Sequence, residues 1–152
     1  MAFDQLDDFY REVILDHRRH PRNHRKLENA DLTADGVNPF CGDEVHLQIA
    51  LDDGRVSAVG LQGAGCSINQ ATGSMLTEAI EGKTLPEVEG LSALFEAMMR
   101  GDMLSEKDTQ RLGDLQELDG VRRFPVRIKC ALLAWSTLDD AIDDYRSLGP
   151  PH

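Results

Sequence analysis

Two runs of alternating apolar residues, Val45, Leu47, Ile49 and Leu51, then Val56, Val59 and Leu61, lie on either side of Asp53-Gly54. Alternation sends successive side chains to opposite faces of a strand, and Asp-Gly between two such runs is a strong signal for a two-residue hairpin turn. With Asp53 and Gly54 at the centre of the turn, Asp52 pairs with Arg55, and residue numbers in every cross-strand pair sum to 107. Cys41 and Cys66 satisfy that sum. An unbroken register therefore sets these two cysteines opposite each other, with Cβ atoms about 4.5–5.5 Å apart. Asp43, two residues along, shares the face of Cys41. The stretch Gly63-Ala64-Gly65 is where a bulge or turn would interrupt the register before Cys66.

Helical periodicity surrounds the hairpin. Leu6, Phe9, Tyr10, Val13, Ile14 and His17 share one helical face, and Pro21 closes that helix. After Cys66, the positions of Ile68, Ala71, Met75, Leu76, Ala79 and Ile80 predict a helix over 67–81, stopped by Gly82. A further helix is predicted over 86–99, and a charged connection over 101–123 holds a short one. Pro125 suits the first turn of a last helix carrying Cys130, Leu133, Ala134, Thr137, Leu138, Ala141 and Ile142, which ends before Gly149-Pro150-Pro151. The expected fold is α+β: a small antiparallel sheet with helices packed on one side, in one domain spanning 1–152.

Charge and composition narrow the function. The 27 acidic against 16 basic residues give a net charge of −11, which opposes the phosphate neutralisation that nucleic-acid binding requires and is repelled by anionic lipid. Neither partner is expected. The chain opens without a basic start and apolar run, so a secretory signal is not expected, and no apolar stretch is long enough to span a bilayer. Three cysteines, an odd number, suggest reduced thiols in a cytoplasmic setting. Against the acidic background, residues 18–26 form a local basic patch.

Cys41, Asp43, Cys66 and Cys130 are candidate metal ligands. Cys66 immediately precedes a helix, where the dipole and unpaired N–H groups favour a thiolate. Cys130 lies on the side of its helix shared by Ala134 and Leu138, and so faces inward. Three thiolates and one carboxylate select zinc or iron-sulfur over magnesium or calcium. With zinc, the formal charge of the set is minus two; Arg127 and Lys129, on either side of Ile128 and close to Cys130, are placed to offset it. One harder oxygen ligand suggests a site meant to open. Other readings stand beside these. The cysteines also suit small buried apolar positions, and Asp43 suits a turn residue accepting backbone N–H groups. His17, His20 and His24 read as surface, internally satisfied or partner-docking residues. His46 alternates away from Asp43, and Asp139-Asp140 with Asp143-Asp144 read as a solvated helix face.

Asn38-Pro39-Phe40-Cys41-Gly42-Asp43, Gly63-Ala64-Gly65-Cys66-Ser67-Ile68 and Arg127-Ile128-Lys129-Cys130, followed by Leu133-Ala134-Trp135, resemble the SufU branch of the IscU-like iron-sulfur assembly proteins. The resemblance extends to Tyr10-Arg11-Glu12-Val13-Ile14-Leu15-Asp16-His17, Pro21-Arg22-Asn23 and Leu112-Gly113-Asp114-Leu115. The long segment between Cys66 and Cys130, and Lys129 where IscU proteins place a histidine, are similar to SufU in particular. The resemblance implies a zinc-dependent acceptor that takes sulfur from a pyridoxal-phosphate cysteine desulfurase and passes it to cluster-building proteins. It thus implies a sulfurtransferase-like partner of that enzyme and not an independent one. It further implies that Cys41 receives the persulfide after a desulfurase side chain replaces it on zinc, while Cys66, Cys130 and Asp43 remain as ligands. A scaffold building a [2Fe-2S] cluster on the same ligands is the alternative. A hydrolytic zinc enzyme and a structural zinc module are more distant readings. The chain departs from the family pattern at Asn69-Gln70-Ala71-Thr72-Gly73, where small and hydroxyl residues are usual. Gly73 should weaken its helix by about 1 kcal/mol relative to alanine.

Overall fold

Asp53 and Gly54 both take left-handed backbone angles, φ 53° and 77°, which is the geometry a two-residue hairpin turn of this hand demands. The computed structural model describes Glu12, residues 14–39 and residues 42–148. In it the turn joins β2 (Asp43–Asp52) to β3 (Arg55–Ala64). A further strand, β1 (Leu32–Asn38), pairs with the other edge of β2, giving an antiparallel sheet in the order β1-β2-β3.

The hairpin register differs from the expected one. Asp52↔Arg55 and Leu51↔Val56 pair as the turn dictates, but the next pair is Ala50↔Ala58, and all later pairs sum to 108. Ser57 is the extra residue, and its hydroxyl donates to the Ala50 carbonyl at 3.1 Å. The physical cause lies in the apolar pattern. Val56 and Val59, three residues apart, are both buried, and an unbroken strand would send them to opposite faces. The slip therefore comes near the turn and not at Gly63-Ala64-Gly65. It takes the register off the sum of 107 on which the pairing of Cys66 with position 41 was expected. The ladder ends at Glu44↔Ala64.

Residues 14–19 form the helix α1, with Ile14 and His17 buried; the expected positions at Leu6, Phe9, Tyr10 and Val13 lie outside the described residues. Then come α2 (Ser67–Ile80), α3 (Leu85–Arg100), α4 (Glu106–Leu112), an irregular 3₁₀ stretch (Gly113–Arg123) and α5 (Pro125–Leu148). Helix α3 is fixed at its start by a capping box, in which Thr84 Oγ1 accepts from the Glu87 N–H and Glu87 Oε1 accepts from the Thr84 N–H. Helices α2 and α5 pack on the sheet. Trp135 of α5 is fully buried and stacks on Phe95 of α3, ring centroids 5.1 Å apart. Val45, Leu47 and Ile49 of β2 complete the core beneath them.

Two glycines set the helix-to-sheet distances. A Cβ on Gly36 of β1 would overlap Thr137 Oγ1 of α5 and lie 3.2 Å from Leu133 Cδ1. A Cβ on Gly73 of α2 would lie 2.9 Å from Leu61 Cδ2 of β3. The helix-weakening glycine thus lets α2 close on the sheet.

One acid expected on a solvated face is partly withdrawn from it. Asp139 accepts from Ser92 Oγ at 2.8 Å. Burial first, and the hydrogen bond shared with Glu96 second, push its pKa up to about 7. A folded pKa raised above the unfolded value of about 3.9 stabilises the fold below the latter and loses that contribution as pH climbs through the former. Asp139→Asn is therefore expected to flatten stability between about pH 4 and 7 and to gain about 1 kcal/mol at pH 8, discounted for solvent screening. Urea melts at pH 4, 6 and 8 check this.

Candidate metal centre

At the open end of the hairpin, three donor side chains from three elements meet. Asp43 opens β2 and is buried, Cys66 is the N-cap of α2, and Cys130 lies in the second turn of α5 with no exposed surface. One ligand atom from each lies within 4.8 Å of the others, the only such cluster of three among the described residues. The donor set, two soft sulfurs and one carboxylate oxygen, suits zinc or iron.

The register explains how Asp43 and Cys66 come together. Continued by one step, the ladder sets Asp43 opposite Gly65. Gly65 has φ 121°, and a Cβ there would overlap the Asp43 carboxylate. Having none, it lets the carboxylate fold across the turn: Asp43 Oδ1 accepts from the Cys66 N–H at 2.8 Å, and Oδ2 lies 3.8 Å from Cys66 Sγ. The reading of Asp43 as an acceptor of backbone N–H is met at Cys66, and its second oxygen is left on the side of the sulfur.

The loop is tied down by the residues that depart from the family pattern. Asn69 Nδ2 donates to the carbonyls of Glu44 and Ala64, at 3.3 and 3.0 Å, and Gln70 Nε2 donates to the Gly65 carbonyl at 2.8 Å. Cys66 caps α2 with no side-chain hydrogen bond to the helix, so its sulfur stays available beside unpaired N–H groups. Cys130 is turned inward because its face of α5 carries Ala134 and Leu138, both buried. Arg127, one turn earlier, is the cation set against Cys66 and Cys130. Their thiolate charge, chiefly that of Cys66, raises its pKa against a smaller opposing effect of burial. Lys129 is exposed beside it.

Cys41 lies outside the described residues. The chain on either side of it is anchored, because Asn38 pairs with Asp43. Chain length alone keeps the Cys41 Cα within about 7 Å of the Asp43 Cα. The histidines stand apart from this cluster. His17 Nδ1 is 2.7 Å from Ser74 Oγ, and burial holds its pKa below the usual range. His46 pairs with Asp35 at 2.7 Å on the other face of the sheet, and His20 is an exposed neighbour of Asp16. Sequence reasoning identified the ligand candidates but not the supports, Asn69, Gln70 and Gly65. The glycine was visible as a break in the strand, whereas the two amides stood out only as departures.

No helix among the described residues is long and apolar enough to cross a membrane. The NifU-like N terminal domain matches residues 9–149. The zinc-dependent sulfurtransferase SufU of Bacillus subtilis (strain 168) is 42% identical over 143 residues, covering 93% of this chain and 95% of that one. The iron-sulfur cluster assembly scaffold protein IscU of Streptococcus pyogenes serotype M1 is 36% identical, with 93% and 87% covered. A crystal structure of a SUF-system scaffold protein from Fervidobacterium islandicum AW-1 superposes with a TM-score of 0.82 at 35% identity, covering 90% of this chain and 98% of that one. With its metal-competent cluster at the end of a three-stranded sheet, and relatives of this kind along nearly its whole length, the chain belongs to the NifU-like N-terminal domain family of iron-sulfur cluster assembly proteins.

Proposed function

We propose that this protein is a zinc-dependent persulfide acceptor: it takes sulfur from a cysteine desulfurase onto Cys41 and hands it to the cluster-building machinery. The observation that carries the reading is the convergence of Asp43, Cys66 and Cys130 donor atoms within 4.8 Å, at the end of the sheet where Cys41 joins Asp43 through Gly42 alone. Similarity to the zinc-dependent sulfurtransferase SufU supports it. Cys41, Asp43, Cys66 and Cys130 together would hold the ion, which when bound keeps the thiols deprotonated at neutral pH.

The residues of this chain then divide the work. The Cys41 thiolate attacks the outer sulfur of the donor's persulfide; a new S–S bond forms as the donor's S–S bond breaks, and the donor cysteine leaves as a thiolate. The electrons balance without an added oxidant. Arg127 offsets the negative charge of Cys66 and Cys130. Gly42, φ 69°, and Gly65 supply the backbone turns on either side of the Asp43 carboxylate. A reducing compartment such as the cytoplasm suits a protein that works through free thiols.

Incubation of the zinc-loaded protein with a cysteine desulfurase and cysteine, followed by peptide mapping without reductant, is expected to find one added sulfur on Cys41. Sulfur on none of the cysteines rejects the reading. The scaffold role has an observation of its own, the match to a protein named as an IscU scaffold. Under it, anaerobic reconstitution with iron and sulfide yields a stable [2Fe-2S] spectrum, whereas the acceptor reading expects the protein to retain zinc and form none.

A further inference from the structure

We infer that Asn69 is a positioning residue for the metal centre: its amide replaces the missing last rung of the hairpin and holds Asp43 and Cys66 at ligand spacing. The inference rests on the metal-binding reading above and goes beyond it in naming what sets the geometry.

Glu44 and Ala64 are the last pair of the β2–β3 ladder. From there one chain goes back a single residue to Asp43, and the other goes forward two residues to Cys66. Beyond this point β2 is still paired with β1 through Asn38↔Asp43, but no rung joins it to β3. Asn69, in the first turn of α2, donates from one nitrogen to both the Glu44 and the Ala64 carbonyl, so a helix side chain clamps the two strands where each departs for its ligand. Gln70 secures Gly65, the residue between, from the same turn.

Burial argues that the amide is there for its donors. Asn69 is 1% exposed, and its Oδ1 has no hydrogen-bond partner among the described residues. A buried acceptor without a partner is costly, and an apolar side chain would avoid that cost. An amide at this position is accounted for by what its nitrogen holds. Groups that orient metal ligands without touching the ion commonly change affinity by 10–100-fold when removed.

The test compares Asn69→Ala, Asn69→Ser and Asn69→Asp, the last keeping the shape but losing both donors, with Thr72→Val as a control. Thr72 is one turn further along α2, equally buried, with a hydroxyl that has no partner among the described residues. Two quantities are read on each protein: zinc affinity by competition with a chromophoric chelator, and the melting temperature of the metal-free and zinc-loaded forms. Asn69→Ala and Asn69→Asp are expected to bind zinc about 10–100-fold more weakly, and to show a smaller rise in melting temperature on zinc addition than wild type. Thr72→Val is expected to match wild type in affinity.

A merely structural Asn69 would lower both melting temperatures equally and leave zinc affinity within about twofold, and that result overturns the inference. Where Asn69→Ala does not fold, Asn69→Ser decides by the same criteria. Wild-type protein that binds no zinc in the same titration instead removes the metal-binding reading on which the inference rests.

Discussion

Gly65→Ala is expected to weaken zinc binding about 100-fold, at the upper end of what ligand-supporting residues contribute. Two effects act together. The alanine must hold φ near 121°, a backbone conformation that costs a non-glycine residue about 1–3 kcal/mol. Its methyl group also overlaps the carboxylate of Asp43. Either the loop relaxes, and Cys66 loses the hydrogen bond from its N–H to Asp43, or the carboxylate turns away and the site loses its oxygen donor. Because Gly65 lies past the end of the ladder, the β-sheet and α5 should be unaffected. Chelator competition measures the zinc loss, and circular dichroism of the metal-free protein should match wild type. Wild-type affinity in Gly65→Ala would show that Asp43 and Cys66 do not act on a shared ion.

Gly36→Ala is expected to destabilise the fold itself by about 1–3 kcal/mol, the usual cost of overfilling a packed interface. The added carbon overlaps Thr137 Oγ1, while Leu133 Cδ1 is 3.2 Å away. Thr137 is fully enclosed, its hydroxyl bonded to the Leu133 carbonyl at 2.8 Å, so it has no room to turn aside. The strand must lift from α5, and β1 carries Asn38, the partner of Asp43 in the sheet. Thr137→Ala in the same chain should restore most of the loss. The double variant is then expected to be more stable than the sum of the two single effects allows, and urea denaturation of the four proteins measures that difference.

These two glycines also show what could be read from the sequence and what could not. The hairpin turn was legible because Asp53-Gly54 interrupts two alternating runs, and the helices because apolar spacing and the Pro and Gly at their ends agree. The α+β class followed. The register was not read correctly, although its signal was present: Val56 and Val59 are spaced three apart, which an unbroken strand cannot accommodate on one face. Strand β1 escaped because its inward positions shrink from Leu32 to Ala34 and Gly36, the last two small where α5 lies close, while the bulky Val37 points outward with 66% of its surface exposed. The apolar signal there is weak.

The site divides in the same way. Hairpin arithmetic, helix phase and residue chemistry pointed to Cys66, Cys130 and Asp43, and the structure brings them together. It does so by a route different from the expected one. Cys66 reaches Asp43 through a turn at Gly65 and the amides of Asn69 and Gln70, past the end of the cross-strand ladder. Tertiary hydrogen bonds between a helix start and two strand ends leave no periodic trace in a sequence, so Asn69 and Gln70 appeared only as departures from a family pattern. Asp139 is similar: nothing in its neighbours along the chain shows that Ser92 and Glu96 of α3 lie against it.

The ligand set is tested most directly by zinc-edge X-ray absorption on the freshly purified protein and on its Cys41→Ala and Asp43→Ala variants. Wild type should show three sulfur neighbours near about 2.3 Å and one oxygen near about 2.0–2.2 Å. Cys41→Ala should lose one sulfur, and Asp43→Ala should lose the carboxylate oxygen. A wild-type spectrum with fewer than three sulfurs, or a Cys41→Ala spectrum that still shows all of those in wild type, would contradict a site built from Cys41, Asp43, Cys66 and Cys130.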